Sequence, residues 1–227
     1  MKIGIVLFGI LCTVLLYSTP LCAQSDYEHF LRDPNAITGF EKGQGYLVKD
    51  PPSSNKIKGS PFLFNENWHN ARVRLRTGET RIESGMRYNI HTNEMQYRVD
   101  NTIYALNGSI VDTIYMNNCV FVFIQHQDVP QTNSYYRLLK SSPHKAALVH
   151  YSTSIKTESY NPALNVGEDV QTIVQKEKRY ILLNGRMVSI NSKADLSQLF
   201  SKEDMRKFKL SFRTNDDLLQ VFDALKD

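Results

Sequence analysis

The sequence is poor in the residues that staple or catalyse. Of its 3 cysteines, Cys12 and Cys22 fall in the opening stretch and Cys119 stands alone in the remainder. A lone thiol excludes an intramolecular disulfide, even in a compartment that would permit one. Its setting, Cys119-Val120-Phe121-Val122-Phe123-Ile124, suits a small buried hydrophobe rather than a nucleophile, which needs an exposed thiolate of low pKa. No Gly-x-Ser-x-Gly elbow and no phosphate-cradling glycine loop occurs. Ser53 with Lys56 and Ser142 with Lys145 match Ser-x-x-Lys, but both pairs lie in proline-flanked loop sequence without a companion Ser-Asp-Asn or Lys-Thr-Gly. Among the 6 histidines (His29, His69, His91, His126, His144 and His150) no pair has the His-x-x-x-His spacing of a zinc helix. His144 and His150 would share one face of a strand at a separation of about 20 Å. No metal site and no cofactor is expected. A carboxylate pair for glycan hydrolysis is set by space rather than by sequence, so Glu66, Glu83 and Glu94 remain open candidates.

Strong net charge is also missing. Removing Lys2, the one charged residue of the first 23, from 27 basic and 23 acidic residues leaves +3. That is too mild for a nucleic-acid surface. Long apolar runs are confined to residues 3–17, which follow Lys2 and lead to Ser18-Thr19-Pro20-Leu21-Cys22-Ala23. A positive charge, a short apolar core and a small terminal residue describe a secretory signal peptide. The run is shorter than the roughly 20 apolar residues of a spanning helix. Leu11 and Leu21 precede the two leader cysteines where lipidation needs a small residue. The expected organisation is a signal peptide at 1–23, a flexible N-terminal arm at 24–60, an antiparallel β domain at 61–190 and a helical segment packed on it at 191–227. No transmembrane segment remains once the signal is removed, and the expected location is periplasmic, outer-membrane-associated or extracellular.

What the sequence does have is alternation. Ala71, Val73 and Leu75 alternate with Arg72, Arg74 and Arg76. After Thr77-Gly78-Glu79, Ile82, Ser84, Met86, Tyr88 and Ile90 take one face, and Arg81, Glu83, Arg87, Asn89 and His91 the other. A turn at Thr92-Asn93 leads to Met95, Tyr97 and Val99. Period-two alternation with short polar turns means an antiparallel meander with one wet face and one packed face. Asn107-Gly108 and Asn184-Gly185 each predict a hairpin, and 157–169 reads as a loop. About ten strands exceed a comfortable flat sheet, so a partly closed barrel or a two-layer sheet is expected. The fold class is therefore α+β, mainly β. After Asn191 the period lengthens, and Ser192, Ser201 and Thr214 are each followed three residues later by Asp195, Asp204 and Asp217. This spacing predicts three capped short helices.

Arg72, Arg74 and Arg76, with Arg81 and Arg87 on the neighbouring strand, form a candidate basic face for an acidic glycan, a lipid head group or a partner protein. Gly59-Ser60-Pro61-Phe62-Leu63 with Glu66-Asn67-Trp68, Met86-Arg87-Tyr88-Asn89-Ile90 with Asn93-Glu94-Met95, and the ending through Arg206-Lys207-Phe208-Lys209 and Asp216-Asp217-Leu218-Leu219 together resemble exported proteins of unknown function common in Bacteroidota. The resemblance spans most of the mature chain and carries no activity or site residues. It implies a cell-envelope location, and it brings notice to Asp112-Thr113-Ile114, which is similar to the O-glycosylation acceptor pattern of such bacteria, with Thr113 as the acceptor. The functional expectation is a non-catalytic β module that binds an envelope protein or glycan. The alternatives are an envelope hydrolase with a carboxylate pair assembled in space and a barrel carrying a small apolar ligand. Mass analysis of the mature protein is expected to find Gln24 at the N-terminus, and an acylated Cys22 would overturn that expectation.

Overall fold

The computed structural model describes residues 37–40, 44–48, 57–125, 133–158, 170–206, 208 and 210–225. The expected signal peptide at 1–23 with Cys12 and Cys22, the Ser53/Lys56 pair, His29 and His126 all lie outside the described residues. The strands are β1 Ile37–Thr38, β2 Gly45–Leu47, β3 Ile57–Lys58, β4 Leu63–Glu66, β5 His69–Leu75, β6 Thr80–Asn89 and β7 Glu94–Val99. They continue as β8 Thr102–Leu106, β9 Val111–Met116, β10 Cys119–Ile124, β11 Ser134–Ser141, β12 Lys145–Glu158, β13 Val170–Leu183 and β14 Arg186–Ser189. Two short helices follow, α1 Lys202–Met205 and α2 Asn215–Ala224. Thirteen strands form one mostly antiparallel sheet in the order β14-β13-β12-β11-β10-β9-β5-β6-β7-β8-β2, with β1 beside β6 and β3 beside β13. Three stretches of the 24–60 arm are thus strands of the sheet. Among the described residues no helix is long and apolar enough to cross a membrane.

The sheet neither splits into two layers nor closes into a barrel; it curls. β8 and β11 lie six strands apart in the order, about 29 Å across a flat sheet. Yet the Tyr135 hydroxyl on β11 donates to the Leu106 carbonyl on β8 at 3.4 Å. The concave side so formed is filled rather than hollow: Met86, Tyr88, Tyr97, Ile114, Met116, Phe121 and Tyr135 are all buried. Tyr88 packs edge-on against Phe121 and Tyr135, at 5.7 and 6.0 Å between ring centroids. The Asn93 side chain fastens the curl. Its Oδ1 accepts from the Tyr88 hydroxyl at 2.8 Å and the Tyr135 amide at 3.2 Å, while its Nδ2 donates to Asn133 O at 2.9 Å and Ser134 Oγ at 3.1 Å.

Three sequence expectations change. In β6, Met86 pairs with His69 but Glu83 pairs with Ala71, so β6 carries one extra residue between them. That bulge reverses the side-chain phase. Arg81 and Glu83, not Ile82 and Ser84, therefore share the concave face with Met86 and Tyr88. Asn107-Gly108 is not a hairpin: Asn107 caps a 3-10 turn at Gly108–Ile110, and β8 pairs with β7 and β2 while β9 pairs with β5 and β10. The glycine is there for space, since a Cβ on Gly108 would meet Phe123 Cδ2 at 2.5 Å. Two hairpins turn on consecutive residues of positive φ: Asn117-Asn118, at φ 50 and 57°, and Asn184-Gly185, at φ 50 and 80°. Finally, β12 and β13 pair without a slip from Lys145↔Leu183 to Glu158↔Val170, so the expected 157–169 loop gives up its first residues to a long hairpin.

Two of the three expected caps form in the C-terminal tail, at Ser201 and Thr214, while the first helical turn follows Ala194 with no side-chain cap from Ser192. Asp195 accepts the Asn191 and Ser192 amides, each at 2.9 Å, before a 3-10 helix at Asp195–Gln198. Ser201 accepts the Asp204 amide ahead of α1. Thr214 and Asp217 form a reciprocal capping box ahead of α2. Leu218, Val221 and Phe222 of α2 then join the core cluster with Ala147, Val149, Ile181 and Val188. Burial pushes the Asp217 carboxyl up, but hydrogen bonds from the hydroxyls and amides of Ser211 and Thr214 outweigh it and hold the group well below the usual carboxylate range.

Asn93→Ala removes four hydrogen bonds and leaves a residue at φ 58° without the amide that tolerates it; it should cost about 2–4 kcal/mol in urea unfolding. Because the Asp217 carboxylate is favoured in the folded state, its contribution is complete above the unfolded aspartate value and shrinks as pH falls below it. Asp217→Asn should therefore be less stable than wild type by about 1–2 kcal/mol at neutral pH, with the gap closing below about pH 4.

Candidate functional site

The arginines of the expected basic face do not form one. Arg72 is 2% exposed, packed between its cross-strand neighbours Ile82 and Tyr115. Arg81 is 8% exposed and on the concave side, because the β6 bulge puts it there. It donates to Glu79 at 2.6 Å, to the Gly39 carbonyl at 3.2 Å and to Gln44 Oε1 at 2.7 Å. Glu83 beside it accepts the Phe40 amide at 3.2 Å. Both charges hold Gly39, Phe40 and Gln44 against the sheet. Arg74 is exposed but ion-paired with Asp112, and Arg76 donates to the Val111 carbonyl. Of the five arginines, Arg72 is buried on the convex face and Arg74, Arg76 and Arg87 reach its surface, joined by Arg98, which alternation alone did not single out.

Arg87 is the centre of what the convex face does present. Its guanidinium lies 3.9 Å from the Phe62 ring centroid and 4.3 Å from that of Trp68, and the Arg98 guanidinium sits 5.4 Å from the same indole. Strand pairing aligns the supporting row: Arg87 opposes Gln96, which opposes Ala105, which opposes Tyr46. Arg87 Nε donates to Gln96 Oε1 at 3.0 Å, and Gln96 Nε2 donates to Glu94 at 3.0 Å. Glu94 also accepts from Thr92 at 2.8 Å and from the Tyr46 hydroxyl at 3.2 Å. Burial and the nearby Glu94 carboxylate push the Tyr46 hydroxyl up to about 12, so it stays a donor at neutral pH. The arrangement is a ladder of flat groups, aromatic and cationic in alternation, in line with the exposed Tyr46. Such groups stack on sugar rings, peptide planes and other π faces at low entropic cost.

The remaining candidates separate in space. Glu83 lies on the concave face and Glu94 on the convex face, so the two make no facing pair; the Glu66 side chain lies outside the described residues. Thr113 is 6% exposed, between Arg74 and Val122 of the adjoining strands, with its hydroxyl donated to Asp112. In the folded sheet it is closed to a glycosyltransferase. Burial pushes the Cys119 thiol up, against the opposing effect of Arg137, so it stays a protonated core residue. Ser142 and Lys145 line a shallow cleft of about 300 Å³ with Pro143, His144, Leu182 and Asn184. There the Lys145 ammonium donates to the Leu225 carbonyl and lies over the Phe222 ring, which makes it a tether for α2. Among the described residues no group of three or more His, Cys, Asp or Glu is placed to hold a metal.

No protein family, curated protein or solved structure matches the chain.

Proposed function

We propose that this chain is an exported, non-catalytic binding module of the cell envelope that contacts an acidic glycan or protein through the convex face of β5–β8. The observation that carries the reading is the Phe62–Arg87–Trp68–Arg98 ladder. Its central Arg87 is held from behind by Gln96, which Glu94 holds in turn, so that side chain loses little freedom when a partner stacks on it. Arg76 on the same face, and Arg74 beside its partner Asp112, extend the polar surface, and the Arg76 charge speeds and orients the encounter with an acidic partner. The rivals find less support. A retaining or inverting hydrolase needs two acids facing one another across a bond, and Glu83 and Glu94 stand on opposite faces. An apolar-ligand carrier needs a hollow closed barrel, and the concave side is packed with aromatic and methionine side chains.

The test replaces Arg74, Arg76 and Arg98 together by serine. Exposed charges contribute little to folding, about 0–1 kcal/mol each, so the variant should melt close to wild type. Its capture of acidic envelope glycans or proteins in a pull-down should fall by about tenfold or more. Unchanged capture would remove this face as the contact surface. Turnover of any envelope polymer by the purified wild-type protein would end the non-catalytic reading.

A further inference from the structure

A second cationic cluster lies on the opposite, concave face, where β11, β12 and β13 run side by side. Val149 of β12 pairs with Arg137 of β11 on one side and with Arg179 of β13 on the other. The two arginines therefore project from the same face with Cα atoms two strand spacings apart, about 10 Å, within reach of a common point. Next along β12, Tyr151 pairs with Glu177.

The charges in this cluster do not balance. Arg179 is 8% exposed; it donates to Glu177 at 2.9 Å, but its Nε is buried with no acceptor. Arg137 is half-buried, and its one hydrogen bond is to the Tyr151 hydroxyl at 3.4 Å, with no carboxylate at ion-pair distance among the described residues. Two guanidinium groups thus share one carboxylate. The neighbours that could supply a second negative charge do not: burial pushes both the Cys119 thiol and the Tyr151 hydroxyl up, so each stays neutral. Buried guanidinium groups are ordinarily paired and their N–H groups satisfied, because leaving them dry and unmatched is costly. The cluster opens at its rim, where the Glu177 side chain is 45% exposed and Arg137 is half-buried, while Arg179 and Tyr151 form its buried floor.

We propose that Arg137, Arg179 and the Tyr151 hydroxyl form a binding site for a single oxyanion group, a carboxylate or a phosphate. The planar N–H forks of two arginines match the paired oxygens of either group, and Tyr151 offers a third donor. Glu177 orients Arg179 and, as an acid at the rim, disfavours ligands that carry further negative charge on that side. The site is independent of the convex ladder, because the two lie on opposite faces of the sheet.

Isothermal titration calorimetry of the mature protein in chloride buffer tests this, with inorganic phosphate in one arm and D-glucuronate in the other. Saturable binding in at least one arm is expected, and the arm that binds identifies the ligand as phosphate-bearing or sugar-acid. Arg137→Gln should weaken that binding about tenfold or more, and Tyr151→Phe should weaken it by a smaller factor while keeping the ring in the core. The convex-face triple serine variant should bind like wild type. Far-UV circular dichroism checks folding, and if Arg137→Gln fails to fold, Tyr151→Phe decides. Absence of saturation in both arms at millimolar ligand would overturn the site, as would binding that Arg137→Gln and Tyr151→Phe both leave unchanged.

Discussion

The side chain of Asn93 fastens the curl of the sheet, and most of the architecture depends on that clasp. A thirteen-stranded sheet left flat would bury little of either face. Curling brings β6–β8 over β10 and β11, so that one set of side chains packs against another within a single sheet. Asn93 makes this directional by joining the β6–β7 turn to the beginning of β11 through both ends of its amide. The turn that forms the clasp also needs a residue that tolerates positive φ, and asparagine meets both demands. His91 adds a second fastening from the same turn, 2.8 Å from Thr153 Oγ1 on β12.

The curl then decides what each face can do. The concave side takes the aromatic and methionine side chains and excludes water from β5–β11, and α2 covers the stretch nearer β14. Between these packed regions Arg137, Tyr151, Glu177 and Arg179 bring polar chemistry onto an otherwise apolar face. On the convex side Arg74, Arg76 and Arg98 stay exposed, Arg72, Gln96 and Thr113 are buried, and Phe62 and Trp68 fold back over Arg87. Each face thus carries one organised set of cations: a stacked ladder outside and an under-neutralised pair inside.

Features that arise within a few residues were legible in the sequence. The Thr77-Gly78-Glu79 and Thr92-Asn93 turns, the Asn184-Gly185 hairpin and the Ser201 and Thr214 caps read correctly, because each is fixed by local backbone geometry and local hydrogen bonds, whereas the expected Ser192 cap does not form. Features that depend on a partner strand were not. The β6 bulge inserts one residue against β5, and no pattern within β6 announces it; it alone moved Arg81 and Glu83 to the concave side. Asn107-Gly108 carries the signature of a hairpin, yet its glycine is required by the approach of Phe123 from β10. The Arg87–Trp68 contact joins residues whose proximity depends on β6 crossing the segment ahead of β5.

By itself, then, the sequence determined that this is a mainly β chain of alternating strands and tight asparagine and glycine turns, ending in short self-capped helices. Those properties follow from side-chain periodicity and from hydrogen bonds between neighbours in the chain. Only the tertiary structure decided that the strands form one curled sheet, that Arg72 and Arg81 are buried rather than displayed, and that Arg137 and Arg179 meet across Val149. Each of these is set by which strand lies beside which and in what register, and register is a property of the pair rather than of either strand alone.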